Sequence, residues 1–475
     1  MTATVLDSIR AHARARPGHP ALIADGDVPV RVDYGALVAR VETQAERLRA
    51  AGVAPGERCG LVARQGRGFV EAALGILAAG ACLVPIADDT TPGACERLVA
   101  EAALHHLVRE SEGFVCRAVA APARLAADEE AAFRALRPAY LRFTSGTTAC
   151  HKGVVIGHDA IVARLAHANV GLAITPADRV LWLLPMAHHF VVSILLYLRF
   201  GATILLPAGS LARSVLALAR RERATVLYAS PYHYDLLAKD ASDLGLEHLR
   251  LAVATADALK ADVAARFARR FGHALTQALG IIEVGLPVMN LASAASKPTA
   301  LGRALPGYEI WLRGEDGRPV APTGGADAIG ELCIRGPGMF DAYLHPWTPS
   351  ARVLAPDGFR TGDQGWFDAD GDLHLAGRHA NRISMAGLKF FSEEVETVLE
   401  THPEVRAARV RARPHAHVGE VPVAEIVARD GARPPDAAAL ATYCRERLPS
   451  YKVPREFRVV AELPRTPTGK LKRHD

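Results

Sequence analysis

From about residue 58 to residue 279, short apolar runs alternate with helical patterns. "RCGLVA" predicts a strand, and "FVEAALGILAAGACLVPI" predicts a helix entering another strand. "YLRFTSG", "RVLWLLP", "ATILLP", "ATVLYAS", "LRLAVAT" and "ALTQALG" are further strand candidates. Between them lie helical segments such as "DAIVARLAHANV", "SLARSVLALARRER" and "KADVAARFARRFG". This alternation predicts an α/β fold, a largely parallel sheet covered by helices. In such sheets ligands bind beyond the C-terminal ends of the strands.

The pattern changes after about residue 296. "YEIWLRGEDGRPV", "IGELCIRG" and "GWFDADGDLHLAG" read as strands joined by Gly/Asp turns. They predict a β-rich subdomain over 297–377 that completes a large N-terminal domain, 1–377. Near Gly377 the pattern switches again. Ser392 is placed to cap a helix "EEVETVLETH", with Glu393 and Glu394 in its first turn. Strands "VRAARVRA" and "VPVAEIVA", a helix "DAAALATYCRERL" and a strand "EFRVVAEL" follow. The stretch 378–475 is thus expected to be a small α+β domain on a short hinge.

Composition narrows the class. The chain has 475 residues, 50% hydrophobic and 23% charged, which suits a multidomain globular protein. The net charge of +5 carries no Lys/Arg block of a nucleic-acid arm, so no nucleic-acid partner is expected. Seven cysteines lack C-x-x-C spacing, which argues for reduced thiols. The N-terminus lacks a continuous apolar segment of a signal peptide, and no apolar run reaches membrane-spanning length. The longest, 190–198, is short enough for a buried helix. The cytoplasm is the expected location.

The strongest chemical signal is residues 144–153, "TSGTTACHKG", directly after the strand "YLRF". Hydroxyls and exposed backbone N–H groups wrap phosphate oxygens, and Lys152 adds a point charge. Taken alone such a stretch is an ordinary polar turn, and it lacks the Walker pattern. Its context decides the reading. The chain resembles the acyl-adenylate-forming superfamily of acyl- and aryl-CoA synthetases, peptide-synthetase adenylation domains and luciferases. That phosphate loop reads roughly T-S-G-T-T-G-x-P-K-G. Ala149 and His151 replace its Gly and Pro here. The resemblance runs nearly end to end and is nearest to a stand-alone acid ligase.

The resemblance implies roles residue by residue. Thr144, Ser145, Gly146, Thr147, Thr148 and Lys152 would hold the phosphates of ATP. "QALGIIEVG" stands where Y-G-x-T-E is usual, so Gly280 would meet the nucleotide and Glu283 would be the Mg²⁺ carboxylate. Leu279 and Ile282 depart from that pattern. "GFRTGDQGWFD" makes Asp363 the ribose ligand, with Arg378 beside it. Asn381 stands at the hinge, and Gly387 would line a tunnel for a phosphopantetheine thiol. In "LPRTPTGKLKR", Lys470 becomes the catalytic cation and Thr148 a catalytic partner on the phosphates.

The segment "LPMAHHFVVSILLYLRFGA" is expected to line the acid through His188, His189 and Val192, with Tyr228, Ser230, Thr255, Ala256 and Leu279. One histidine could equally be a satisfied core group. No Asp or Glu occurs between Asp178 and Glu222, which disfavours an α-amino acid, since a buried ammonium would lack a partner. The expected reaction is ATP-dependent formation of an acyl-AMP from an aryl or fatty acid, then thioester formation on CoA or a carrier protein. Arg406, Arg409, Arg411 and Arg413 could face an acidic carrier. The alternatives are a degenerate nucleotide-binding relative and an oxygenase that uses the adenylate.

Overall fold

The computed structural model describes residues 4–26, 28–110, 114–120, 125–143, 152–320, 325–354, 358–378, 381–385, 388–415, 418–429, 436–465 and 471–472. The chain forms two compact units, Met1–Glu309 with Ile334–Phe359, and Ile310–Cys333 with Arg360–Asp475.

The first unit holds two mixed sheets covered by helices, the α/β architecture that the alternation predicts. In one, Pro20–Ala24, Thr203–Leu206, Arg179–Trp182, Val226–Ala229, Leu251–Ala254 and Thr276–Ile281 run parallel. Antiparallel strands close its edges, Val30–Asp33 on one side and Gly285–Met289 with Arg303–Ala304 on the other. The central strands are legible as apolar runs because both faces are covered; Thr203–Leu206 and Val226–Ala229 are buried throughout. The apolar run 190–198 becomes a buried π-helical turn, Phe190–Leu195, continued by the helix Leu196–Arg199.

In the second sheet His106–Arg109, Arg58–Ala63, Cys82–Ala87 and Pro138–Phe143 are parallel. Gly153–Gly157, Ala342–Tyr343 and Thr348–Pro349 extend it antiparallel. Pro138–Phe143 and Gly153–Gly157 are the arms of a hairpin, with Phe143 opposite Gly153 and Arg142 opposite Val154. The Ser/Thr-rich loop joins those arms, and residues 144–151 lie outside the described residues.

One carboxylate sets the stagger of the first sheet. Asp178, Thr225 and Arg250 each stand just before one of three adjacent strands. Asp178 accepts from Thr225 Oγ1 at 2.7 Å and from Arg250 Nε at 2.8 Å. Burial alone would raise the Asp178 pKa, but the bonds from Arg250, Thr225 and the Thr175 N–H outweigh it and hold the carboxyl below its ordinary range.

Glu309–Arg313, Gly330–Arg335, Phe359–Phe367 and Leu373–Arg378 form a sheet in that order. A further sheet orders Leu388–Phe391, Arg382–Met385, Gly419–Ala428 and Val405–His415, with Glu456–Val459 parallel to Gly419–Ala428. Helices Ser392–Glu400 and Ala437–Arg445 bury Val395, Leu399, Leu440 and Cys444 against Ile383, Val410 and Ile426. The expected cap is displaced by one residue. Phe391 is the N-cap, Glu394 reaches back to its N–H at 2.9 Å, and Ser392 is the first helical residue.

Asp178→Ala leaves Thr225 and Arg250 without their shared acceptor. It is expected to lower the unfolding free energy by about 1–3 kcal/mol, read as a lower urea midpoint. The native carboxyl titrates below its ordinary range, so this contribution is full at neutral pH. It is lost as pH falls through the depressed native pKa, where the urea midpoints of parent and variant converge.

Candidate active site

Tyr343 joins two of the residues singled out in the sequence. It lies opposite Val154 on the strand Ala342–Tyr343. Its hydroxyl donates to Glu283 Oε1 at 3.1 Å. Lys152 Nζ stands 4.7 Å from its ring centroid, a cation–π distance. The phenol therefore links the lysine of the expected phosphate loop to the expected magnesium carboxylate.

The turn that carries Glu283 is held by its backbone. Phe340 N–H donates to Glu283 O at 2.7 Å. Arg164, buried on the helix His158–Leu172, donates Nε to Gly338 O at 2.7 Å, Nη1 to Ile282 O at 2.9 Å and Nη2 to Glu283 O at 3.5 Å. A Cβ on Gly338 would lie 2.4 Å from Ala160 O and Arg164 N, and its φ is +65°, so glycine is required. Burial pushes the Arg164 pKa down to about 10, which leaves it charged at neutral pH. Burial also pushes Glu283 up, and Tyr343, Arg142 and Arg164 offset this only in part.

Several of the expected acid-lining residues make defined contacts. Arg142 donates to the His188 carbonyl and stands 3.3 Å from His188 Nδ1. The His189 ring meets Trp182 edge-on with centroids 6.2 Å apart, and Trp182 stacks on Tyr228 at 5.4 Å. Tyr228 is bonded to Thr255, whose hydroxyl donates to Ala278 O at 2.9 Å. Leu279 and Val192 are half-buried. Gly280 is exposed and borders Thr255; a Cβ there would stand 3.8 Å from Thr255 Oγ1. The Ser230 hydroxyl is 2.8 Å from His233 Nδ1. Ala256 adopts φ +73°, a left-handed backbone uncommon for a residue with a Cβ. Asp257, which no expectation explained, is exposed and accepts from Ala258 N–H at 2.9 Å.

In the second unit Asp363 and Arg378 are partner positions on antiparallel strands. Gly362 turns the backbone at φ +75°, and the Asp363 N–H donates to Thr361 Oγ1 at 3.0 Å. Asn381 is buried and donates Nδ2 to Glu393 Oε1 at 2.6 Å. Thr144, Ser145, Gly146, Thr147, Thr148, Gly387 and Lys470 lie outside the described residues. The arginines expected to face a carrier are engaged internally: Arg409 and Arg411 bond Glu425, and Arg413 bonds Glu456.

The AMP-binding enzyme family matches residues 9–344, and the AMP-binding enzyme C-terminal domain matches 394–470. The chain belongs to this family. It is 29% identical to a sulfoacetate–CoA ligase of Cupriavidus necator over 498 residues of alignment, 99% of this chain and 96% of the relative. It is 29% identical to a feruloyl-CoA synthase of an Amycolatopsis species over 458 residues, 92% of each. ATP-bound MatB of Rhodopseudomonas palustris shares the fold, with TM-score 0.84 at 23% identity over 99% of this chain and 97% of that one. This AMP-binding enzyme is an AMP-forming ligase that activates a carboxylic acid with ATP and then forms a thioester. Among the described residues, no helix is long and apolar enough to cross a membrane.

Tyr343, Arg142 and Arg164 escaped the sequence reading. A single charge inside the apolar strand "YLRF" was the available signal for Arg142. The geometry predicts the pH behaviour of Tyr343→Phe. If ionised Glu283 is required, activity falls as pH drops through its raised pKa. Removing a donor to the carboxylate favours its protonated form further. The acid limb of the kcat/KM profile for pyrophosphate release should therefore move to higher pH. An unmoved limb would assign that limb to another group.

Proposed function

We propose that the ATP phosphates lie against Thr144, Ser145, Gly146, Thr147, Thr148 and Lys152, that Gly280 borders the nucleotide, and that Asp363 and Arg378 take the ribose. Glu283 is a carboxylate held by a neutral phenol, among described residues that form no His/Cys/Asp/Glu cluster. That fits a magnesium ion, which needs few protein ligands when it travels on phosphates. Bound there, magnesium supplies positive charge to the phosphate oxygens. Lys470 neutralises the charge that builds as the acid oxygen attacks the α-phosphorus and pyrophosphate leaves. The domain 378–475 then turns about Asn381 relative to the adenylate-forming domain 1–377, whose β-rich subdomain is 297–377. A thiol enters past Gly387, its sulfur bonds the acyl carbon, and AMP departs.

The acid is an aryl or aliphatic acid and not an α-amino acid. Asp178 and Glu222, which bracket the lining segment, are already engaged, Asp178 by Arg250 and Glu222 by Arg31 and Arg179. The acceptor is coenzyme A. The named relatives are CoA ligases, and the internal pairing of Arg409, Arg411 and Arg413 leaves little reason to invoke an acidic carrier protein. The observation that carries the reading is Tyr343 holding Glu283 beside Lys152 in a chain matched by both family domains.

Acid-dependent exchange of pyrophosphate into ATP tests it. Lys470→Ala is expected to slow exchange by about 100-fold or more, while thioester formation from supplied acyl-adenylate stays near the parental rate. Parental exchange in the variant would remove Lys470 from the adenylation step.

A further inference from the structure

Strand alternation sends Arg142 to the opposite side from Leu141 and Phe143. Those two flank Gly153, whose missing Cβ would stand 3.1 Å from Leu141 Cδ1 and 3.0 Å from Phe143 Cζ. Arg142 instead reaches the His188 carbonyl and stands 3.3 Å from His188 Nδ1. Its Nε is buried and has no hydrogen-bond partner among the described residues. Among the described residues no carboxylate stands within ion-pair distance of it. A guanidinium has five N–H donors, so two contacts leave most of its capacity unused. Two more buried polar atoms without partners among the described residues, Trp182 Nε1 and the Tyr197 hydroxyl, belong to the aromatic group that holds His189 and Tyr228.

A guanidinium with a water-shielded N–H that finds no acceptor gains from a ligand that supplies one, and an anion supplies it best. Two fully buried arginines of this unit are well supplied: Arg58 bonds the Ala103 carbonyl and Glu130, and Arg164 has three carbonyl acceptors; half-buried Arg142 has one carbonyl and one ring nitrogen. We propose that the acid activated here carries a second anionic group, a carboxylate or sulfonate, and that Arg142 binds that group. This rests on the acid-activating reading above. The reacting carboxylate is the poorer occupant. Pairing it tightly to a fixed guanidinium stabilises the ground state, whereas its negative charge moves onto pyrophosphate in the transition state.

The test uses the full chain and acid-dependent pyrophosphate release. Malonate, succinate, glutarate and phthalate are each compared with their monomethyl esters, and with sulfonate analogues to distinguish the two anions. Parent enzyme is expected to favour a diacid over its half-ester by about 100-fold or more in kcat/KM. Arg142→Met should lower the diacid-to-half-ester ratio of kcat/KM by a similar factor, chiefly through KM for the acid. Arg142→Lys, which keeps the charge without the fork, should recover part of the preference. Equal parental rates for diacids and half-esters would overturn the inference and leave the ligase reading intact. So would an Arg142→Met enzyme whose KM for ATP rises while its acid preference persists. A parent that releases pyrophosphate with no acid of any kind removes both.

Discussion

Arg164 binds three backbone carbonyls, those of Gly338, Ile282 and Glu283, and through them fixes two loops from distant parts of the chain. The Gly338 loop leads into the strand that carries Tyr343, and the Ile282–Glu283 turn carries the carboxylate. Their meeting at 3.1 Å depends on this guanidinium more than on either side chain. A lysine could not replace it, because one ammonium point cannot span carbonyls from two loops in a fixed plane. Carbonyl dipoles also compensate the buried charge without placing a second carboxylate beside Glu283.

Arginines of one unit therefore do different work, decided by their acceptors. Arg164 is satisfied by backbone and acts as a brace. Arg142 sits on the strand that leads into the Ser/Thr loop, and its Nε finds no acceptor among the described residues. The net charge of +5 gives no hint of this, since Arg409, Arg411 and Arg413 are matched locally by Glu425 and Glu456. What matters for ligand choice is where compensation is missing, and the bulk excess does not report that.

The central strands and most helices were legible because burial on both faces makes strands read as apolar runs. The antiparallel edges were not, since nothing in "GVVIG" or "DAY" says which neighbour a short strand will join. Motif positions such as Glu283 and Asp363 could be named because their residue types and order carry a chemical task. Tyr343 could not. Its role comes from lying opposite Val154, a pairing between residues far apart in sequence. Arg164 was hidden in "DAIVARLAHANV", where an arginine on an amphipathic helix reads as solvent-facing. The Ser392 cap failed by one residue because Glu394 reaches the Phe391 N–H, and the cap is set by that backbone bond.

For the cation-binding role proposed for Glu283, a phenol is a better partner than a guanidinium. A direct arginine pair would satisfy the carboxylate, lower its pKa and leave little to gain from a metal. Tyr343 orients one oxygen and adds no charge. Arg142 and Arg164 contribute favourable charge from beyond ion-pair distance among the described residues, and burial still leaves the Glu283 pKa raised. A raised carboxyl pKa means that the ionised form is under-stabilised when the site is empty. On the proposal that Glu283 serves magnesium, a cation arriving with the nucleotide would recover that deficit. The two proposals share one logic: Glu283 would meet a cation and Arg142 an anion, each charge supplied by a ligand of opposite sign.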